Sequence, residues 1–357
     1  MNMFSVPTFL RMPAVGLDIS DDAIRFMEFK MTTRGMVVSR CATRALAEGI
    51  VVSGRAADTA RLKESISVLA KEFRLTFANI SLPEEQAYIA NIRIPAVLPN
   101  EVRSVLELKL EEHVPIPGTQ AVFDYVIAKG TEAPKEYLDT VVSVLPREVI
   151  DQYTEIFNGS GVTPLGFELE SQAIARSVVK WSELGSFMVV DIGKTITSIF
   201  VIARGVVQFA ASIDMGGQYL TDAIKKKFSV EEDAAEEMKA KHGIIASKQK
   251  TELWDAVSRV IGDFRDKIAQ HYHYWQTHHG EKFGGAIERI YLSGGGANLK
   301  GLSEYLALGL ATPVHVANPW INVNTFEGYI PPIPQHEALS FSVAIGLALR
   351  DYAPPSL

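Results

Sequence analysis

Two stretches of the chain carry the same device. In "AVGLDISDDAIRFMEF", residues 14–29, an apolar run closes on Asp18, turns through Ser20, Asp21 and Asp22, and resumes. In "FMVVDIGKTITSIFVI", residues 187–202, an apolar run closes on Asp191 and turns through Gly193, Lys194 and Thr195. Each reads as a hairpin with a carboxylate at the end of its first strand. Turns of this kind present backbone N–H groups to phosphate oxygens, and two such carboxylates facing one another suit Mg²⁺ held through water. Together the two hairpins could bracket a nucleotide from opposite sides. Either one alone is uninformative, because Asp is also an ordinary turn former.

Three further clusters could serve such a site. "LSGGGANLKGL" runs a strand into Gly294, Gly295 and Gly296 and then a helix, which lets backbone approach a flat or charged ligand. "DMGGQYLTDAI" is a second such entry, through Gly216 and Gly217. In "DAAEEMKAKHG", Glu236 and Lys239 sit three apart on one helical face and, in isolation, read as a solvent ion pair. The histidines of "HYHYWQTHHG", His271, His273, His278 and His279, do not face one another at these spacings and lack an acid or cysteine to complete a metal site.

Elements that could position these residues follow from periodicity. Residues 15–38 read as strand, turn, strand, turn, strand, and Leu62, Ile66, Leu69 and Phe73 give the next segment a helix period. Residues 78–160 change rhythm. They read as two strands, a helix capped by Asn100 and stopped by Pro115, two more strands, and a helix entered at Pro146, making a small α+β module. A strand and helix then lead to the second hairpin. The longest expected helix carries Leu253, Val257, Val260, Ile261, Phe264, Ile268, Tyr272 and Trp275 on one stripe. "ALSFSVAIGLALR" reads as a core helix too short to span a bilayer.

Size and composition set limits. A chain of 357 residues is long enough for two or three domains, and 47% apolar with 22% charged residues is a globular balance. No signal peptide is expected at the apolar N-terminus, which could serve as a short docking arm, and the single cysteine, Cys41, rules out an intrachain disulfide framework. A net charge of -7, with no basic run beyond Lys225 to Lys227, argues against nucleic acid as a partner.

The order of the parts is their most specific property. A hairpin with Asp18, a strand-to-helix turn with Glu170, a hairpin with Asp191, a double glycine with Glu236 and Lys239, then a triple glycine resemble the actin, Hsp70 and sugar-kinase ATPase superfamily. The insert, with "ISLPEEQAYIANIRIP", "EVRSVLELKLEEHVPIP" and "FDYVI", is similar to the small domain of FtsA-like proteins. With "REVIDQYTEIFNGSGVTPLGFELESQAIAR" and "AAEEMK", the chain resembles the PilM family of type IV pilus assembly proteins over nearly its whole length.

The resemblance implies an α/β actin-like ATPase fold of two RNase H-like lobes with an SHS2-like insert. It implies lobe I at 1–77 and 161–184, the insert at 78–160, lobe II at 185–325 and a closing C-terminal segment at 326–357. It implies ATP and Mg²⁺ as cofactors. Asp18 and Asp191 would be the metal and phosphate acids, Gly193, Lys194 and Thr195 the second phosphate turn, Glu236 and Lys239 the flanks of the adenosine, and Gly294, Gly295 and Gly296 its floor. Glu170 would stand where hydrolytic members position water, although Ser171 follows where proline is common. The implied partner is the N-terminal cytoplasmic tail of a PilN-like membrane protein, with other platform or motor proteins, at the inner face of the cytoplasmic membrane. Self-association is left open. Rival readings are a nucleotide-independent scaffold with a relic site, an FtsA- or GspL-like protein, and a small-molecule kinase.

The opening hairpin departs from this pattern. Where relatives carry glycine and small hydroxyl residues, this chain has Ser20, Asp21 and Asp22. Ser20 can still donate a hydroxyl. A carboxylate about 4 Å from a phosphate would cost on the order of 4 kcal/mol at an effective dielectric of about 20. The acids therefore form the turn, impair nucleotide binding or act through a metal. Because neighbours in an extended segment alternate, at least one is expected to point out of the cleft.

Overall fold

The repeated hairpin of the sequence is a repeated sheet in the structure. In the first sheet β1 (Val15–Ile19) pairs antiparallel with β2 (Ala23–Thr32), which pairs with β3 (Gly35–Ala45). A short hairpin, β4 (Val51–Val52) with β5 (Arg55–Ala56), stands apart from it. On the other side of β1 lie two parallel strands, β6 (Phe77–Leu82) and β10 (Thr163–Leu169), so the order is β10-β6-β1-β2-β3. In the second sheet β11 (Ser186–Ile192), β12 (Thr197–Ala203) and β13 (Val206–Ile213) repeat the meander, with β14 (Arg289–Ser293) and β15 (Val314–Val316) parallel on the far side. Asp18 and Asp191 each sit one residue before the end of the equivalent central strand. Every residue of β1 and all but Asp191 of β11 is buried, as befits strands covered on both faces. The computed structural model describes residues 14–33, 35–128, 136–244, 252–278, 285–323 and 329–353. The N-terminal arm before residue 14, Arg34 of the second turn and His279 lie outside them.

Helix α1 (Thr59–Phe73) covers the first sheet through Leu62, Ile66 and Leu69, started by Asp58, whose carboxylate accepts from the Arg61 N–H. Within the first lobe's sequence, between β6 and β10, sits a third sheet, β7 (Tyr88–Pro95), β9 (Tyr137–Pro146) and β8 (Ala121–Ile127), in the order β7-β9-β8. Helix α2 (Val102–Lys109) packs on it, with Val102 and Leu106 against Ile92, Ile94, Val142 and Val144. Two features of the expected insert differ. Strand β6 pairs in parallel with β1 and β10, since its apolar residues complete the main sheet. Helix α3 (Arg147–Phe157) places Val149, Tyr153, Ile156 and Phe157 in the same core as Leu62 and Ile66. Asn100 lies outside α2, which begins after Glu101 without a side-chain cap.

Helix α4 (Glu170–Val178) follows β10 directly, and α5 (Gly217–Phe228), α6 (Glu232–His242) and α7 (Glu252–His278) cover the second sheet. The α7 stripe is buried as its spacing requires, from Leu253 to Trp275, with Val260 partly exposed. The C-terminal helix Ser342–Ala348 lies between the lobes. Val343 and Leu347 join the second core, whereas Ala344, Ile345 and Ala348 join Met27 and Phe29 of β2. Its close approach needs Gly346, where a Cβ would lie 1.7 Å from the Ala173 carbonyl oxygen, and Gly16, where one would lie 2.1 Å from that of Ala344. Arg176, paired with buried Glu168, donates to the Gly346 carbonyl at 2.9 Å and ties this helix to α4. No described helix is long and apolar enough to cross a membrane.

Candidate functional site

A cavity of about 710 Å³ opens between the two lobes. The walls include Asp18 and Ser20 from the first hairpin, Gly193, Lys194 and Thr195 with Asp191 from the second, and Glu170 from the start of α4. Gly216 and Gly217 at the start of α5, Glu236 and Lys239 on α6, and the Gly294, Gly295 and Gly296 turn complete them. Of the residues expected from motifs, Asp18 and Gly296, 278 positions apart in sequence, thus meet in one cleft. The turns are built for close approach: at Gly216 a Cβ would lie 2.5 Å from the Lys194 carbonyl oxygen, and Gly294 holds φ +77° against Ile192.

The acids at the floor are strongly perturbed. Burial pushes the Asp18 carboxyl up to about 6, against the pull of Arg25 and of the Ser81 hydroxyl, which donates to it at 3.1 Å. Burial likewise raises Asp191 to about 6, offset by a Ser293 hydroxyl and reinforced by the charge of Asp18. Glu170 is held well above the carboxylate range by burial, then by repulsion from Glu85, Asp18 and Asp191. Glu84, buried behind it and pushed up to about 7 by burial, accepts from the Ser171 N–H at 3.0 Å and so satisfies one of the free donors at the start of α4. These carboxyls repel one another, and Asp18 and Asp191 suit a divalent cation that would relieve them. No described group of three His, Cys, Asp or Glu residues could hold a metal ion. Two carboxylates, Asp18 and Asp191, are the donors that a hydrated Mg²⁺ would meet there.

Cations at the site come with partners. Lys239 donates to Glu236 at 2.6 Å and to the Thr221 hydroxyl at 2.7 Å, while that hydroxyl also bonds Glu236. Lys194 reaches Glu232 at 3.4 Å. Arg25, opposite Asp18 in the β1–β2 register, donates to Ser20 and makes a 2.9 Å ion pair with Asp22. Burial alone would raise Asp22, but the charge and hydrogen bonds of Arg25 hold it below the usual range.

Both acids of the first turn line the cleft, against the expectation that one would point away. Residues 21 and 22 form a bend instead of extended strand, so the alternation of faces does not apply. Asp22 is neutralised by Arg25. Asp21 accepts from the Ser53 and Gly54 N–H groups, each at 3.0 Å, and from the Thr195 hydroxyl at 2.6 Å, which lies in the other lobe. Arg25, Glu84, Glu85, Ser53 and Gly54 join the site without belonging to any motif legible in the sequence. A basic residue opposite a strand-end acid in a hairpin register was the one available signal, and it pointed to Arg25. Among described residues the histidines of α7 form no metal group, and His278 stacks on Tyr274.

A family model described as type IV pilus assembly protein PilM matches residues 16–352. Among solved structures the chain is similar to a PilM-PilN type IV pilus biogenesis complex, at 23% identity and TM-score 0.79, covering 96% of this chain and 100% of that one. It is also similar to the ethanolamine utilization protein EutJ from Carboxydothermus hydrogenoformans, at 17% identity and TM-score 0.56, with 95% and 90% covered. MreB5 of Spiroplasma citri bound to ADP matches at 11% identity and TM-score 0.51, with 94% of each chain covered. At these identities the likeness concerns the fold, which is actin-like.

Proposed function

The chain belongs to the type IV pilus assembly protein PilM family, and from that premise we propose that it is a pilus-assembly adaptor that binds ATP with Mg²⁺ between its lobes. The observation that carries this reading is the single cleft into which thirteen binding residues expected from separate motifs converge. In it, Asp18 and Asp191 hold the hydrated metal, which neutralises phosphate charge when bound. Ser20, Gly193, Lys194 and Thr195 hold the phosphates. Glu236 and Lys239 flank the adenosine, with Gly216, Gly217 and Gly294 to Gly296 providing close backbone.

Hydrolysis in this reading is slow at most. Glu170 is the one candidate for positioning water, at the start of α4 where burial and the neighbouring acids raise its carboxyl. The working output is binding. The fold division proposed from sequence makes the β7-β9-β8 module the docking part, and its edge strand β8 leaves Val126 and Ile127 exposed, which suits an extended tail. A PilM-PilN complex has the related fold, and we assign the N-terminal cytoplasmic tail of a PilN-like membrane protein as partner. That partner would place this chain at the inner face of the cytoplasmic membrane.

Calorimetric titration with ATP and Mg²⁺ tests the nucleotide claim. Binding is expected for the protein as it stands, with at least a tenfold loss in Asp191→Ala. No heat up to millimolar ATP would sink it and leave a nucleotide-independent scaffold. Fluorescence anisotropy with a synthetic tail peptide tests the partner claim separately.

A further inference from the structure

We propose that Asp21 is a specificity-determining residue that biases the cleft toward the nucleoside diphosphate and against the triphosphate. The inference rests on the nucleotide reading above and concerns which nucleotide the site prefers.

Asp21 is fixed, not merely present. Ser53 and Gly54, the two residues between β4 and β5, both hold positive φ, +50° and +70°, and their N–H groups both donate to its carboxylate. This turn is an anion cradle filled by the chain's own side chain. The third donor is the Thr195 hydroxyl from the second phosphate turn. All three partners donate, the arrangement that suits a carboxylate. With both oxygens engaged, Asp21 cannot swing away without losing them.

Its position sets the consequence. Asp21 links the tips of the two hairpins that would hold the phosphates, through the Thr195 hydroxyl, and with them lines the cavity. The phosphate that reaches farthest between the tips therefore meets this carboxylate. The two cations at these tips each already carry an acid, Arg25 pairing with Asp22 and Lys194 with Glu232. Around the whole cavity eight carboxyl side chains face four cationic ones from Arg and Lys. Two costs can be separated. Breaking the Asp21 to Thr195 hydrogen bond is required of any phosphate chain that uses Thr195, so it cancels when diphosphate and triphosphate are compared. Charge repulsion falls chiefly on the outermost phosphate and survives the comparison.

The test is calorimetric titration of the full chain with ADP and with ATP, both with Mg²⁺, on the protein as it stands and on Asp21→Asn. The amide removes the charge and keeps the size. The ratio of ATP to ADP affinity is expected to rise tenfold or more in Asp21→Asn. Asp21→Ser, compared in the same way, reads the same difference should the amide variant fail to fold. Equal shifts for both nucleotides would reduce Asp21 to a structural link and overturn the proposal while leaving nucleotide binding intact. A selective loss of ATP would overturn it too, by making Asp21 a group that helps hold the metal. Absence of binding by either nucleotide to any of the proteins would remove the nucleotide reading itself and this inference with it.

Discussion

Asp18 and Asp191 make the cleft a store of unfavourable charge until something cationic enters. Each carboxyl is raised from an ordinary 3.8 to about 6, chiefly by burial. An acid whose pKa is higher folded than unfolded binds protons better when folded. Its contribution to stability is complete below about pH 4 and is lost as pH rises through about 6. For Asp18, 3% exposed, this is on the order of 3 kcal/mol. Asp191 faces the open cleft, and solvent screening trims its share. Asp22 runs oppositely, its stabilisation falling away only as pH drops below the ordinary carboxylate range. Without Mg²⁺ the melting temperature should therefore rise as pH falls from 7.5 to 5. Asp191→Asn should flatten that slope. A profile flat across this window would refute the buried, repelling pair.

At the scale of elements, the C-terminal helix is the part most sensitive to a single atom. It passes so near α4 that a methyl at Gly346 would sit 1.7 Å from the Ala173 carbonyl oxygen. Backbone on both sides leaves no flexible side chain to move aside. Gly346→Ala should cost about 3 kcal/mol or more, read as a lowered urea midpoint. The helices and strands around this contact were legible because apolar periods of 3.6 and 2 are local properties. The boundaries of the insert were not. Strand β6 reads like any short apolar strand, and only pairing with β1 and β10 shows which sheet it completes.

Across the whole molecule, the small sheet spans the lobes. It is inserted in the first lobe's sequence, yet β7 lies along β13 of the second sheet, where Asn91 donates to the Gln208 carbonyl at 2.8 Å. A change of angle between lobes must be shared by this seam. Asn91→Ala should leave nucleotide and tail peptide affinities each within about threefold, while reducing the effect of one ligand on the other. Peptide anisotropy with and without saturating nucleotide measures this directly. Undiminished coupling would show that the seam is passive.

The sequence by itself determined the repeated Asp hairpins, their order among the glycine turns, the buried stripe of α7 and the family, because each is written in local spacing or motif order. The tertiary structure alone decided what the opening acids do. Asp21 finds its donors 32 and 174 positions away, at Ser53 and Thr195, and no local pattern carries such a pairing. It also decided that Asp22 is answered by Arg25, because a bend at residues 21 and 22 breaks the alternation that would have turned one acid outward. Side-chain direction in a turn follows from the partners folding brings within hydrogen-bond reach, and here they come from both lobes.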